Sequence, residues 1–266
     1  MGDVVVFGNQ KGGVGKSTLS VLYAMWLADV HAKSVCFIDL DTQGNASKTL
    51  CSFDGGTSAA ALFATAHEIS AVEVPCGGNR WISLMAASKR LADVELARPE
   101  IVIPAFKAAV QVLCDRFDVV VIDTPPALGL RMSAALIAAT RVVCPIELEE
   151  YSIDGVTDML KTVFGVRQRY NPGLELAGIV LNRFNAHSAR QKAAVQQLVA
   201  SYRDFVVPAR ISTRSAIPEA LAEGKAPWEV SKSSAREASL EVKEVFTMLQ
   251  QRIHPQPVNN ASGVAA

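Results

Sequence analysis

The segment that most restricts what this chain can fold into lies within its first thirty residues. Branched apolar residues, Val4-Val5-Val6-Phe7, lead into Lys11-Gly12-Gly13-Val14-Gly15-Lys16-Ser17, and then Leu19, Leu22, Tyr23, Trp26, Leu27 and Val30 recur at helical spacing. Branched and aromatic side chains suit a buried strand, and apolar residues three and four apart form one stripe of a helix. A strand that enters a helix through a glycine-rich turn is the opening of a strand-helix-strand unit, so the chain is committed to an α/β architecture.

The turn itself carries chemistry. Glycine reaches dihedrals that other residues avoid and lets an anion approach the backbone amides, while a helix N-terminus offers unpaired N–H groups and the positive end of a dipole. Gly12, Gly13 and Gly15 therefore read as a phosphate cradle. Lys16 is expected to reach the β- and γ-phosphates of ATP and the Ser17 hydroxyl to serve Mg²⁺. The usual spacing, G-x-x-x-x-G-K-[ST], fails at its first position, which is Gln10, and Lys11 leads the glycines instead. A lysine so close to the loop folds back poorly on its own nucleotide, so Lys11 is expected to reach a partner's, as an arginine finger does in trans.

Further along, short apolar runs alternate with helical periods. Strands are predicted over residues 4–8, 34–39, 81–85, 118–123, 141–146, 177–182 and 205–207, several of them continuously apolar as buried parallel strands are. Val156, Met159, Leu160, Val163 and Phe164 form a second helical stripe, Val195, Leu198, Val199 and Tyr202 a third, and Val242, Val245, Phe246, Leu249 and Ile253 a last one. The reading is one α/β domain over residues 1–253, a doubly wound and mainly parallel sheet flanked by helices. Residues 254–266 lack periodicity and read as a disordered tail. Gly55-Gly56 and Gly77-Gly78 read as surface loops.

Two strand ends complete the candidate site. In Phe37-Ile38-Asp39-Leu40-Asp41-Thr42-Gln43, two aspartates follow a buried run, where open α/β sheets bind ligands. Asp39 is placed near the Mg²⁺ shell and Asp41 near the γ-phosphate, to orient the attacking water. In Val119-Val120-Val121-Ile122-Asp123-Thr124-Pro125-Pro126, Asp123 is placed to hold Mg²⁺ through water.

These residues resemble the ParA/MinD group of P-loop ATPases with a deviant phosphate loop. The likeness spans about residues 3–250 and rests on Lys11 through Thr18, on Asp39-Leu40-Asp41-Thr42-Gln43-Gly44-Asn45 and on Asp123-Thr124-Pro125-Pro126. Within the group the chain looks most like the small ParA partition ATPases. Thr42 stands where proline is common there, and Ile217-Pro218-Glu219-Ala220 only approximates the usual Ser-Glu-Ala-Pro. The resemblance implies nucleotide contacts from the whole loop, Val14 and Thr18 included, and an ATP-sandwich homodimer in which Lys11 crosses over. It also implies an adenine pocket mapped onto Asn182 and the loop Pro208-Ala209-Arg210. It further implies nonspecific DNA binding, a centromere-binding ParB-like partner that stimulates slow hydrolysis, and a cytoplasmic, nucleoid-associated location.

Composition neither requires nor forbids DNA. Formal net charge is zero, yet residues 1–150 carry 12 Lys/Arg against 16 Asp/Glu, and residues 151–253 carry 14 against 10. The basic half holds Arg183, Arg210, Arg214 and Lys225. Of these, Arg214 stands where the family places a DNA-contacting arginine, with Arg183 and Lys225 as further candidates. The alternative is a MinD-like or cargo-positioning ATPase working on a membrane or protein assembly. A membrane cycle calls for a basic amphipathic C-terminal helix, which residues 254–266 do not resemble. A cluster-carrying relative would need paired cysteines, and the five cysteines are scattered. They read as reduced, mostly buried thiols, and no export signal or membrane span is expected.

Overall fold

The computed structural model describes residues 2–64, 81–148 and 152–255. Its strands are β1 (Asp3–Phe7), β2 (Val35–Asp39), β3 (Asp54–Ser58), β4 (Ile82–Ala86), β5 (Val119–Asp123), β6 (Arg141–Glu147), β7 (Glu175–Phe184) and β8 (Val206–Ser212). They form one sheet in the order β3-β4-β2-β5-β1-β6-β7-β8, with every neighbouring pair parallel. Parallel neighbours need a crossover between them. The connections supply it with α1 (Lys16–His31), α2 (Asn45–Thr49), α3 (Leu91–Val94), α4 (Pro99–Cys114), α5 (Leu130–Ala138), α6 (Ser152–Arg169) and α7 (Ala189–Tyr202), and α8 (Ala216–Ala222) and α9 (Ser233–Ile253) follow the last strand.

Alternation along the strands sends side chains to two separate cores. Val4, Val6, Ile38, Val120 and Ile122 pack with Phe106 of α4, Met132 of α5, Met159 of α6 and Leu198 of α7. Val5, Phe7, Phe37, Val121 and Val143 face the other way, against α1, α8 and α9. The sheet is thus doubly wound. The stripe expected on α1 proves to be burial on nearly every side, with Leu19 through Ala28 all buried, because α9 covers what the sheet does not. Phe7, Tyr23, Trp26 and Phe246 pack into one aromatic cluster at centroid separations of 5.2–6.0 Å. Each such fully buried apolar side chain stabilises the fold by about 1.5–3 kcal/mol.

Three sequence expectations change. Gly55-Gly56 is not a loop but the middle of β3, an edge strand whose register against β4 is irregular. Ladder hydrogen bonds come from the backbone, so glycine can serve at an edge where no side chain need pack. Pro208-Ala209-Arg210 is likewise not a loop, since β8 runs on from Val206 to Ser212. Proline is tolerated there because β8 is the outer strand. The helices α4 and α5 were not among the predicted stripes, although Val102, Phe106, Ala109, Val110 and Leu113 are spaced for one. Gly77-Gly78 and nearly all of the predicted tail lie outside the described residues.

Candidate nucleotide site

The phosphate loop leaves the central strand β1 and enters α1, and the acids end β5, which pairs with β1, and β2, the next strand out. Phe7 is in register with Asp123, and Asp123 with Asp39, so both carboxylates stand level at the carboxyl ends of β5 and β2. This crevice is where doubly wound sheets bind ligands.

Long-range hydrogen bonds set the loop's shape. Asn9, buried beneath it, donates to the Pro145 carbonyl (2.7 Å) and accepts from the Lys11 amide (2.9 Å). Gln10 donates to the Thr162 hydroxyl of α6 (2.9 Å). Asn182, at 5% exposure, donates to the Val14 carbonyl (2.9 Å). Gly15 has φ +91°, and a Cβ there would lie 2.1 Å from Asn182 Nδ2, so both backbone and space demand glycine. The sequence singled out Asn182 as an adenine contact; the structure brings it onto the loop backbone itself. Asn9, Gln10 and Thr162 were missed, since their partners are distant in sequence. The one signal for Asn9 is a polar residue at the end of a buried apolar run.

Lys16 is 6% exposed, and its Nζ donates to the Lys11 carbonyl (2.9 Å). Burial lowers its pKa, an effect that the nearby Asp123 and Asp41 charges partly offset. Gly12 and Gly13 are exposed, Ser17 is half-buried near Asp123, and Thr18 follows it in the first turn of α1. Asp39 is completely buried. Its carboxylate accepts from the Asp41 amide (3.0 Å) and from the Ser47 amide and hydroxyl (2.8 and 2.6 Å). Burial raises its pKa and those hydrogen bonds hold it back.

Asp123 differs: neither carboxylate oxygen has a hydrogen-bond partner, although the residue is fully buried. Burial, with the Asp39 charge beside it, pushes its pKa up to about 8, against a smaller pull down from Ser17 and Lys16. An orphaned buried carboxylate next to a serine hydroxyl fits Mg²⁺, which binds through one or two carboxylates and takes its remaining ligands from water and phosphate. Among the described residues no three His, Cys, Asp or Glu side chains converge enough to hold a metal by themselves.

The raised pKa has a thermodynamic sign. A folded carboxyl of pKa near 8 keeps a proton that the unfolded chain releases near pH 4, so this group's contribution to stability is complete below about pH 4 and is lost as pH rises through 8. Asp123→Asn is therefore expected to raise the thermal midpoint of the nucleotide-free protein at pH 8. The gain should shrink towards pH 4, and thermal melts across that range check it.

The basic candidates are placed less simply. Arg183 adopts φ 51° at the end of β7 and turns its guanidinium to the Gly13 carbonyl (3.2 Å) and Glu147 (3.4 Å). It therefore borders the phosphate loop. Thr213 donates to the Arg183 carbonyl (3.0 Å), which brings Arg183 near the neighbouring Arg214. Arg214 pairs with Glu237 and with Glu241 (2.7 Å) on α9. Lys225 pairs with Glu223 (2.9 Å). All three charges are compensated by acids. Arg210 lies over the Phe184 ring (4.7 Å to the centroid), and Pro208 is exposed on the same strand. Among the described residues, Cys36, Cys114 and Cys144 are buried and Cys51 is exposed, and none of these forms a disulfide. Cys144 sits under the loop with its pKa pushed up by burial to about 12.

A phosphate loop on the central strand, a buried lysine reaching into it and an unpaired aspartate beside a serine define a P-loop ATPase site, here with a second lysine at the head of the loop. The family described as AAA domain matches residues 2–176. Protein IncC of Escherichia coli is 38% identical over 92% of this chain and 70% of its own length. The sporulation initiation inhibitor protein Soj of Bacillus subtilis is 30% identical over 85% and 90%. A Cyanothece McdA variant in complex with ATP superposes with a TM-score of 0.80 over 95% of this chain and 96% of its own, at 19% identity, a likeness of fold. The chain belongs to the ParA family of P-loop partition ATPases.

Proposed function

We propose that this ATPase is an ATP-timed DNA tether. ATP and Mg²⁺, held by the 11–18 loop, Asp39 and Asp123, join two copies face to face. Each Lys11 reaches the other copy's phosphates. The dimer holds DNA without sequence preference, in the cytoplasm over the nucleoid, until a ParB-like partner stimulates an otherwise slow hydrolysis. The observation that carries this reading is the division of labour between two lysines in one loop: Lys16 is buried within it, while Lys11 heads it beside the exposed Gly12 and Gly13. Lys16 neutralises phosphate charge from its own side, and Mg²⁺ supplies further neutralisation at Ser17 and Asp123. Asp41 stands past the end of β2, half-buried, where it can orient a water.

DNA binding in this scheme is electrostatic, so dimerisation acts by doubling phosphate contacts. Each contact contributes about 0.9 to the slope of log K against log salt. The pairing of Arg214 with Glu237 and Glu241 does not preclude this, because ion pairs near the surface contribute only about 0–1 kcal/mol and exchange readily with a phosphate. With ATP and Mg²⁺ the protein is expected to bind duplex DNA with a steep salt dependence that is absent with ADP. Arg214→Ala is expected to flatten the slope by about 1 per protomer. Fluorescence anisotropy across a salt series measures both. Dimerisation by ATP without any DNA binding at low salt would exclude the tether and favour a membrane or protein matrix; among the described residues no helix is long and apolar enough to cross a membrane.

A further inference from the structure

Leu40 lies between the two aspartates of the β2 end, and its peptide is gripped from both sides. Its amide donates to the Asp123 carbonyl (3.0 Å), and its carbonyl accepts from Arg131 of α5 (2.8 Å). The guanidinium that makes this second contact is itself anchored. Its Nε donates to Glu95 (2.7 Å), and Glu95 also accepts from the Leu130 amide (2.7 Å), so one carboxylate caps α5 and holds the arginine. Burial works against the Glu95 charge, but Arg131 and the α5 amides together keep its carboxyl below the usual range. The arginine side chain is 12% exposed. Gly129 leaves room for the carboxylate, since a Cβ there would lie 2.3 Å from a Glu95 oxygen.

We infer that Arg131 is a positioning residue for hydrolysis: by fixing the Leu40 carbonyl it sets where the next residue, Asp41, begins. The remainder of the Asp41 backbone is arranged to make this effective. Its amide is bound to Asp39 and its carbonyl receives the Gly44 amide (2.9 Å). The peptide before Asp41 is therefore the point at which an outside element enters the arrangement. That element is α5, the helix that follows the Asp123-Thr124-Pro125-Pro126 loop, so the ends of β2 and β5 are tied together through Arg131 as well as through the sheet. The fork of a guanidinium suits the task, because one edge can face Glu95 while another donor reaches a carbonyl.

The inference rests on reading Asp41 as the water-orienting group, and the test separates the two. Arg131→Leu, Arg131→Lys and Asp41→Ala, with the double variant Arg131→Leu/Asp41→Ala, are assayed as full-length protein with ATP and Mg²⁺, measuring kcat and KM for ATP well below each thermal midpoint. Arg131→Leu is expected to lower kcat about tenfold to a hundredfold, since a small misplacement of a reacting group has effects of that order, with KM within about twofold. Arg131→Lys should recover part of the loss by donating to the Leu40 carbonyl alone. The double variant should be no slower than Asp41→Ala. Wild-type kcat in Arg131→Leu, or parallel losses in KM and thermal midpoint that lysine does not relieve, would overturn the positioning role. If Arg131→Leu does not fold, Arg131→Met decides, because it keeps the length of the side chain without the donor: an unchanged kcat refutes the role, and a selective fall in kcat supports it. Normal turnover by Asp41→Ala would instead remove the reading of Asp41, whatever Arg131 does.

Discussion

Asp41→Ala is expected to bind ATP with near-normal affinity and to pair with a second copy, yet to hydrolyse at least about a hundredfold more slowly, the lower range for loss of a positioned acid-base group. The separation of binding from turnover follows from what Asp41 touches. Its carboxylate accepts from the Gln43 amide (3.0 Å) in a turn at the surface, and the hydrogen bonds that shape the phosphate loop go to Asn9 and Asn182 instead. The alanine variant gives up one exposed hydrogen bond, about 0.5–1.5 kcal/mol, so the fold survives. Asp41→Asn offers a stricter version, because the amide oxygen can still accept from Gln43 while the carboxylate charge is gone. Its turnover should fall as far as that of the alanine variant. Equilibrium titration with ATP, sizing in solution with ATP and single-turnover hydrolysis together check the result, and a wild-type hydrolysis rate in either variant would sink the assignment.

What the sequence disclosed about this site was what is contiguous. The strand, the glycines, Lys16 and Ser17 fall within fifteen consecutive residues, and each acid follows an apolar run, so no knowledge of the fold is needed to place them at strand ends. The parallel sheet was legible for the same reason, because a strand buried on both faces spells a continuous apolar run. β3 was not, since Asp54-Gly55-Gly56-Thr57-Ser58 has neither branched apolar residues nor alternation and pairs through its backbone at an edge. The braces were hidden for another reason. Asn9 to Pro145, Gln10 to Thr162, Asn182 to Val14 and Arg131 to Leu40 join residues 91 to 168 positions apart, and nothing local marks their ends. Arg183 illustrates the limit from the opposite side. Counted as one charge of a basic half, it proves to point at the Gly13 carbonyl, because a left-handed residue at the end of β7 redirects the chain. Net charge locates a half of the molecule; backbone geometry decides which charges share a face.

The largest effect is expected at Lys11. Its amide is held by Asn9 and its carbonyl by Lys16, so the backbone of this residue is part of the loop's scaffold whatever side chain it bears. Lys11→Ala should therefore leave nucleotide binding within a few fold of normal. Turnover should fall about a thousandfold or more, the range seen when a cationic finger supplied in trans is removed. A side chain that works across a dimer makes a further demand, which loss of activity alone does not test. When Lys11→Ala is mixed with Asp41→Ala, neither subunit has a complete site of its own. In a mixed dimer, however, the Lys11→Ala subunit keeps its Asp41 and receives the lysine of its companion. Half of the dimers in an equal mixture are mixed, and each has one complete site of two, so about a quarter of wild-type turnover should return. A lysine acting on its own nucleotide would give no recovery at any mixing ratio, because every site would then lack either its lysine or its aspartate. Rates measured against mixing ratio distinguish the two, and a flat line at the level of the separate variants would refute the role in trans while leaving the ATPase itself intact.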